Sequence, residues 1–205
     1  MSDKKIPKPV AARLPLYLHY LKSIATHGNP TISSGGIAQA LGLGEVQVRK
    51  DLGLISGAGK PKIGYYVKEL IAHIEDALGT AATTNAVIVG AGKLGLALLG
   101  YDGFKEFGIN ILAAFDKNSE KLCDWGNNKK VLAMSDLKDY CLNNDVKIGI
   151  ITVPEKEAYS VYDVLKGCGV SAVWNFAPAR LAPTDGIKVR NENMAAALAV
   201  LAADL

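Results

Sequence analysis

The stretch NAVIVGAGKLGLALL, residues 85–99, decides the fold. It runs from a short apolar strand through a glycine-rich turn into an apolar helix. Gly90, Gly92 and Gly95 stand in G-x-G-x-x-G spacing between strand and helix, the context that makes this motif specific. Gly90 permits the tight turn, Gly92 lets a pyrophosphate approach the backbone, and Gly95 lets the helix pack on the strand. Ala91, Lys93 and Leu94 complete the loop, and the helix N-terminus offers N–H groups and a positive dipole end to phosphates. Asp116 ends the next strand, 21 residues after Gly95. A carboxylate there accepts hydrogen bonds from the adenosine ribose and repels a 2′-phosphate, which favours NAD+ and NADH; Lys117 beside it weakens that preference.

Around this motif, strands and helices alternate. The apolar runs 85–90, 110–116, 130–134, 146–153, 171–176 and 186–190 read as strands, with helices near 94–101, 135–143 and 156–167. Nearly continuous apolar strands joined by helical crossovers predict a parallel sheet covered on both faces. The small, polar LGTAATT, 78–84, marks a boundary before it. After residue 190, NENMAAALAVLAADL is Ala- and Leu-rich and predicts a further helix. The expected divisions are 1–80, 81–190 and 191–205.

The first 80 residues differ in character. They carry ten Lys and Arg against six Asp and Glu, whereas the rest of the chain is close to neutral. A basic front end on a neutral body points to a polyanion partner. In RLPLYLHYLKSIATHG, Leu14, Leu18, Leu21 and Ile24 share one helical face. In IAQALGLGEVQVRKDLGLI, Ala38 fits a close helix crossing and Gly42 supplies the positive φ of a turn between helices. Val48 and Leu52 face back to a core completed by Ile37, Leu41 and Leu43. Glu45, Gln47, Arg49 and Lys50 then point outward. Arg, Lys and Gln are side chains that read base edges and phosphates in a major groove. Ser33 and Ser34 are good N-caps. The following SGAGKPKIGYYV suggests a hairpin, with Lys60 and Lys62 placed as a wing against a phosphate backbone.

Other classes find little support. No apolar run is long enough to span a bilayer. The N-terminal MSDKKIPKPVAARLP lacks the apolar core of a secretory signal. Cys123, Cys141 and Cys168 form no metal-binding pattern and read as free thiols in a reducing cytoplasm. A dehydrogenase needs an acid or base near the nicotinamide. The three histidines, His19, His27 and His73, all precede the glycine loop, and Glu155 and Glu157 sit where acids simply favour a helix start. No catalytic constellation assembles. The alternatives are a small NAD-dependent oxidoreductase with an accessory helical domain and a coenzyme A-binding domain, the latter disfavoured by Asp116.

Several longer motifs occur in one order: IPKPVAARLPLYLHYL (6–21), SS (33–34), QVRKDL (47–52), a wing ending in GY, GAG-LG, Tyr101 with Gly103 and Phe104, AAFD (113–116), VP (153–154) and NFAP (175–178). In these the chain resembles the Rex family of redox-sensing transcriptional repressors along nearly its whole length. The resemblance implies an α/β protein with an N-terminal winged helix-turn-helix domain, a Rossmann-type NAD-binding domain and a C-terminal helix exchanged between subunits of a homodimer. It implies binding to a palindromic operator and release when NADH rises relative to NAD+, with neither metal nor membrane. Arg49 and Lys50 then correspond to base-reading residues, and Ser33 and Ser34 to phosphate contacts. The NAD contacts correspond to Gly90–Gly95 and Asp116. Val153, Pro154, Asn175, Phe176, Ala177 and Pro178 correspond to walls around the nicotinamide, with Met194 added from the partner.

Three departures stand out. The family's wing usually has Arg between glycines, where this chain has Lys60 and Lys62. Lys93 replaces a usual Asn. Asn193 stands where the family places an acid that pairs with Tyr or Arg in a ligand-dependent way, so it cannot form an ion pair with Arg13 or a charged hydrogen bond with Tyr101. Weaker coupling, or other contacts such as Glu192, is the expected consequence.

Overall fold

In a computed structural model the described residues are 6–203 other than 27, 29, 127, 128 and 185. His27 therefore lies outside them. The chain divides into two compact units. One holds the described residues up to Ala82 together with Glu106–Gly108; the other holds Thr83–Lys105 and Ile109 onward.

The first unit contains α1 (Lys8–Ala25), β1 (Thr31–Ile32), α2 (Ser34–Leu41), α3 (Glu45–Ser56), β2 (Tyr65–Tyr66) and α4 (Val67–Leu78). On α1, Leu14, Leu18 and Leu21 are fully buried, as the helical period requires. They pack with Ile37, Val48, Leu52, Leu70 and Ile74 in one core. Gly42 closes α2 at φ +64°, a left-handed cap that turns the chain into α3. The segment expected to form a full hairpin forms less strand than its residues favour. Only Lys60 and Gly64 bridge across the tip, and Tyr65–Tyr66 pair antiparallel with Thr31–Ile32. The chain then enters α4 directly, because Val67, Leu70 and Ile74 recur at helical spacing and bury that face.

In the second unit a seven-stranded sheet has the order β5-β6-β4-β3-β7-β8-β9. The strands are β3 (Thr84–Val89), β4 (Ile109–Asp116), β5 (Cys123–Gly126), β6 (Lys129–Ala133), β7 (Val146–Ile151), β8 (Ala172–Asn175) and β9 (Lys188–Asn191). Every pairing is parallel except β5 with β6. Residues alternate between the faces: Val87 and Val89 join one core, Ala86 and Ile88 the other. The first strand, β3, lies at the centre. The chain moves outward through β4 and β6, then returns to β7 on the other side of β3. That reversal leaves a crevice at the carboxyl ends of β3 and β7, where open α/β sheets bind ligands. The sequence does not announce the short edge strand Cys123–Gly126: it is only four residues long, and Cys123, Asp124 and Trp125 are all exposed, so no buried apolar run marks it.

The helices of this unit are α5 (Lys93–Gly100), α6 (Leu137–Asn143), α7 (Glu155–Lys166) and α8 (Met194–Ala203). α8 buries none of its residues, and Met194, Leu198, Val200 and Leu201 are each more than half exposed.

Candidate functional site

The crevice holds a cleft of about 700 Å3, lined by Gly90, Gly92, Asp116, Lys117, Val153 and Pro154, with Met134, Val161 and Val164 on its apolar side. Its rim is the glycine loop. Gly90 has φ +106°, and a Cβ there would meet the Thr152 backbone at 2.9 Å. A Cβ on Gly95 would lie 1.9 Å from the Gly90 carbonyl oxygen. Each glycine is thus required by close backbone approach. Gly92, by contrast, has nothing within 4 Å of a Cβ position, so its backbone stays open to an approaching group. Thr152, a residue the motif reading passed over, donates its hydroxyl to the Gly90 carbonyl at 2.7 Å and ties the loop to the end of β7.

Lys93 is the exposed first residue of α5, followed by partly buried Leu94. A cation at a helix N-terminus is opposed by the helix dipole. A pyrophosphate seated there would relieve that repulsion.

Asp116 is almost buried and does more than face the cleft. It accepts from the Ala91 N–H (2.8 Å), the Asn118 N–H (2.9 Å) and the Lys121 ammonium (2.9 Å). Burial alone would push its carboxyl up, but these three donors hold it below the usual carboxylate range. Three of roughly four lone-pair sites are therefore occupied, leaving about one free. Lys117 is engaged at 2.7 Å by Glu157. No spacing rule points to Lys121, whose reach depends on the short helical turn at Ser119–Lys121.

The second set of walls lies along a groove of about 660 Å3, lined by Phe176, Ala177, Pro178, Asn193 and Met194. Met194 of the same chain also lines it. Asn175 is corrected from a wall to a scaffold. It is fully buried, its amide donates to Ala179 O at 2.7 Å and to Asn191 Oδ1 at 2.9 Å, and its oxygen accepts from the Ala177 N–H at 3.0 Å. Those bonds shape the NFAP turn, and no donor remains to face a ligand. Behind Phe176 runs a chain of aromatic contacts: Trp174 at 4.4 Å, then Phe104 at 6.0 Å, then Tyr101 at 5.1 Å.

Within one chain, each member of the switch trio has partners of its own. Arg13 makes two hydrogen bonds to Asp51 on α3, at 2.7 and 2.8 Å, and Tyr17 adds a third at 2.7 Å. With its amide correctly oriented, Gln47 also accepts from Arg13. Tyr101 is exposed, with its ring edge on Phe104. Asn193 caps α8, accepting from the Ala196 N–H at 2.9 Å. Glu192 beside it accepts from the Trp174 indole N–H at 2.9 Å and pairs with Arg190. These donors, Trp174 first, keep its carboxyl low.

In the first unit, a second groove of about 660 Å3 runs between α3 and the wing, lined by Ser33, Ser34, Arg49, Lys60 and Lys62. Ser33 caps α2 by accepting from the Gly36 N–H at 3.0 Å, which leaves its hydroxyl proton to donate. Gln47, Arg49 and Lys50 are exposed on α3. Lys62 sits at the wing tip with φ +64°, and the Lys60 ammonium lies 4.5 Å from the centre of the Tyr66 ring.

Residues 5–53 match the family model described as "Putative DNA-binding protein N-terminus", and residues 81–179 the model described as "CoA binding domain". The chain is 40% identical over 201 residues to a redox-sensing transcriptional repressor Rex of Carboxydothermus hydrogenoformans, covering 98% of this chain and 97% of the relative. It is 38% identical to the Rex of Porphyromonas gingivalis, over 98% of this chain and 92% of that one. The chain belongs to the Rex family. Among solved structures, the Rex-family repressor RSP in complex with β-NAD+ and operator DNA matches with a TM-score of 0.89 at 30% identity, covering 98% of this chain and 92% of that chain. RSP in complex with β-NADH matches at 0.84, over 98% and 94%. Rex proteins are regulators, not enzymes. Among the described residues no helix is long and apolar enough to cross a membrane, and no cluster of three or more acidic, His or Cys side chains could hold a metal ion.

Proposed function

We propose that this chain is a cytoplasmic, homodimeric redox-sensing repressor that binds a palindromic operator and leaves it when the NADH/NAD+ ratio rises. The observation that carries this reading is likeness along the whole chain, both units included, to RSP bound to NAD+ and operator DNA. Coenzyme A is the other dinucleotide-type reading, favoured by the family model at 81–179 alone; the full-length Rex relatives outweigh it.

The residues of the cleft fit a dinucleotide. Gly92 and the first N–H groups of α5 would hold the pyrophosphate, Lys93 would balance its charge, and the remaining acceptor site of Asp116 would take a ribose hydroxyl. Bound NAD+ carries a positive nicotinamide charge that NADH lacks, and this difference is the signal. Phe176, Pro178 and Met194 present an apolar surface, which disfavours a desolvated charge. The two states must then favour two dimer arrangements, only one of which spaces the α3 helices a DNA turn apart. With Asn193 committed to capping α8, the contact of Trp174 with Glu192 is the route by which the walls near Phe176 report to that helix.

A titration of operator occupancy with NADH at fixed NAD+ tests the proposal. Occupancy should fall as NADH rises; unchanged occupancy would refute the sensor.

A further inference from the structure

The surface offered to DNA carries one acid among its cations. Glu45 opens α3, and its carboxylate pairs with Arg49 one turn on, with side chains 50% and 62% exposed. The same carboxylate lies over the start of α2: a Cβ on Gly35 would meet the Glu45 carboxyl at 3.4 Å. First-turn N–H groups have no partner within the helix and attract anions. Ser33, Ser34 and Arg49 line the groove that continues to Lys60 and Lys62. Glu45 therefore borders the place where a backbone phosphate would sit, and it also holds the arginine that would read a base.

We infer that Glu45 is a specificity-determining residue of this surface, a built-in anion that a DNA phosphate must displace. The inference rests on the reading of this face as operator-binding. Non-specific binding consists of phosphate contacts alone. In such a complex the displaced carboxylate faces a phosphate with no compensation, which weakens binding on the order of fivefold at a separation of about 4 Å in water. In a specific complex Arg49 gains a guanine edge, and the released carboxylate gains a cytosine amino group to accept from. Glu45 thus penalises the wrong sites more than the right one.

The test uses the full chain and two probes: a mixed-sequence duplex, and a duplex that the wild type selects from a randomised library. Glu45→Gln should bind the mixed duplex more tightly, on the order of fivefold, with the selected duplex little changed. Asp76→Asn removes the same charge from the exposed last turn of α4 and should leave the ratio as it was. Glu45→Ala should move the ratio in the same direction as Glu45→Gln, and unaltered melting temperatures show that both variants fold. A wild type that retains no duplex overturns the operator reading and this inference with it. A wild type that discriminates, beside a Glu45→Gln variant that discriminates equally or an Asp76→Asn variant that loses as much, overturns the inference alone.

Discussion

Arg13 and Asp51 join α1 to α3 through two hydrogen bonds of 2.7 and 2.8 Å, with Tyr17 completing the set around the same carboxylate. Burial alone would push the Asp51 carboxyl up, but Arg13 and Tyr17 hold it below the usual range. Burial, then the bond to Asp51, pushes the Tyr17 hydroxyl up to about 12. A depressed carboxylate contributes stability above its unfolded pKa of about 4 and loses it as pH falls through the folded value. Tyr17 contributes below its unfolded pKa of about 10 and loses that as pH rises toward 12. Asp51→Asn should cost the winged-helix unit about 3 kcal/mol, since it leaves a partly buried arginine without its counter-ion. Calorimetry across pH checks this: the variant should lose the acid-side fall in melting temperature attributable to Asp51.

Gly95 tolerates no side chain, because its Cβ would fall 1.9 Å from the Gly90 oxygen. Gly95→Ala should separate α5 from the glycine loop and lower NADH affinity at least tenfold, while the winged-helix unit keeps its own melting transition. Fluorescence titration against calorimetry checks it; undiminished NADH binding would deny the loop its role.

Arg49→Ala should abolish operator preference and leave NADH affinity unchanged, since Arg49 belongs to the winged-helix unit. Each lost base contact is worth about 1–3 kcal/mol of discrimination. Gel-shift and NADH titrations on one preparation check it, and a parallel loss of both would contradict the two-unit division of labour.

Asp116→Ala removes the acceptor shared by Ala91, Asn118 and Lys121. NADH affinity should fall and NADPH affinity should rise relative to it, because Lys117 and Lys121 would then face a 2′-phosphate without the carboxylate. Parallel titrations with the two reduced nucleotides decide it; an unchanged ratio would mean that Asp116 sets only the loop's shape.

An apolar α8 that buries none of its residues needs a cover. Leu198→Glu with Leu201→Glu should leave each unit folded but convert the proposed dimer to a monomer in sedimentation. A dimer that survives would place the interface elsewhere.

How much of this was legible in the sequence depends on how far apart the cooperating residues lie. The glycine loop and the inner strands declare themselves locally, because Val87, Val89, Ile150 and Ile151 are apolar in runs and buried on both faces. The edge strand at Cys123–Gly126 carries no such run. Helix α4 was obscured by the β-favouring IGYYV before it, whose tendency is met by only one two-residue pairing. Motif membership indicated that Asn175 matters but not that its amide points inward. The pairs Arg13–Asp51 and Lys121–Asp116 are matters of three-dimensional reach, and no spacing rule encodes them.

The indole of Trp174 has a further consequence. Its ring lies tilted against Phe176, 4.4 Å between ring centres, on the wall proposed for the nicotinamide, while its N–H is held by Glu192 at the root of α8. Indole emits where dihydronicotinamide absorbs and the oxidised ring does not. This tryptophan should therefore dim on loading with NADH and stay bright with NAD+, so the repressor carries its own optical gauge of the signal it senses.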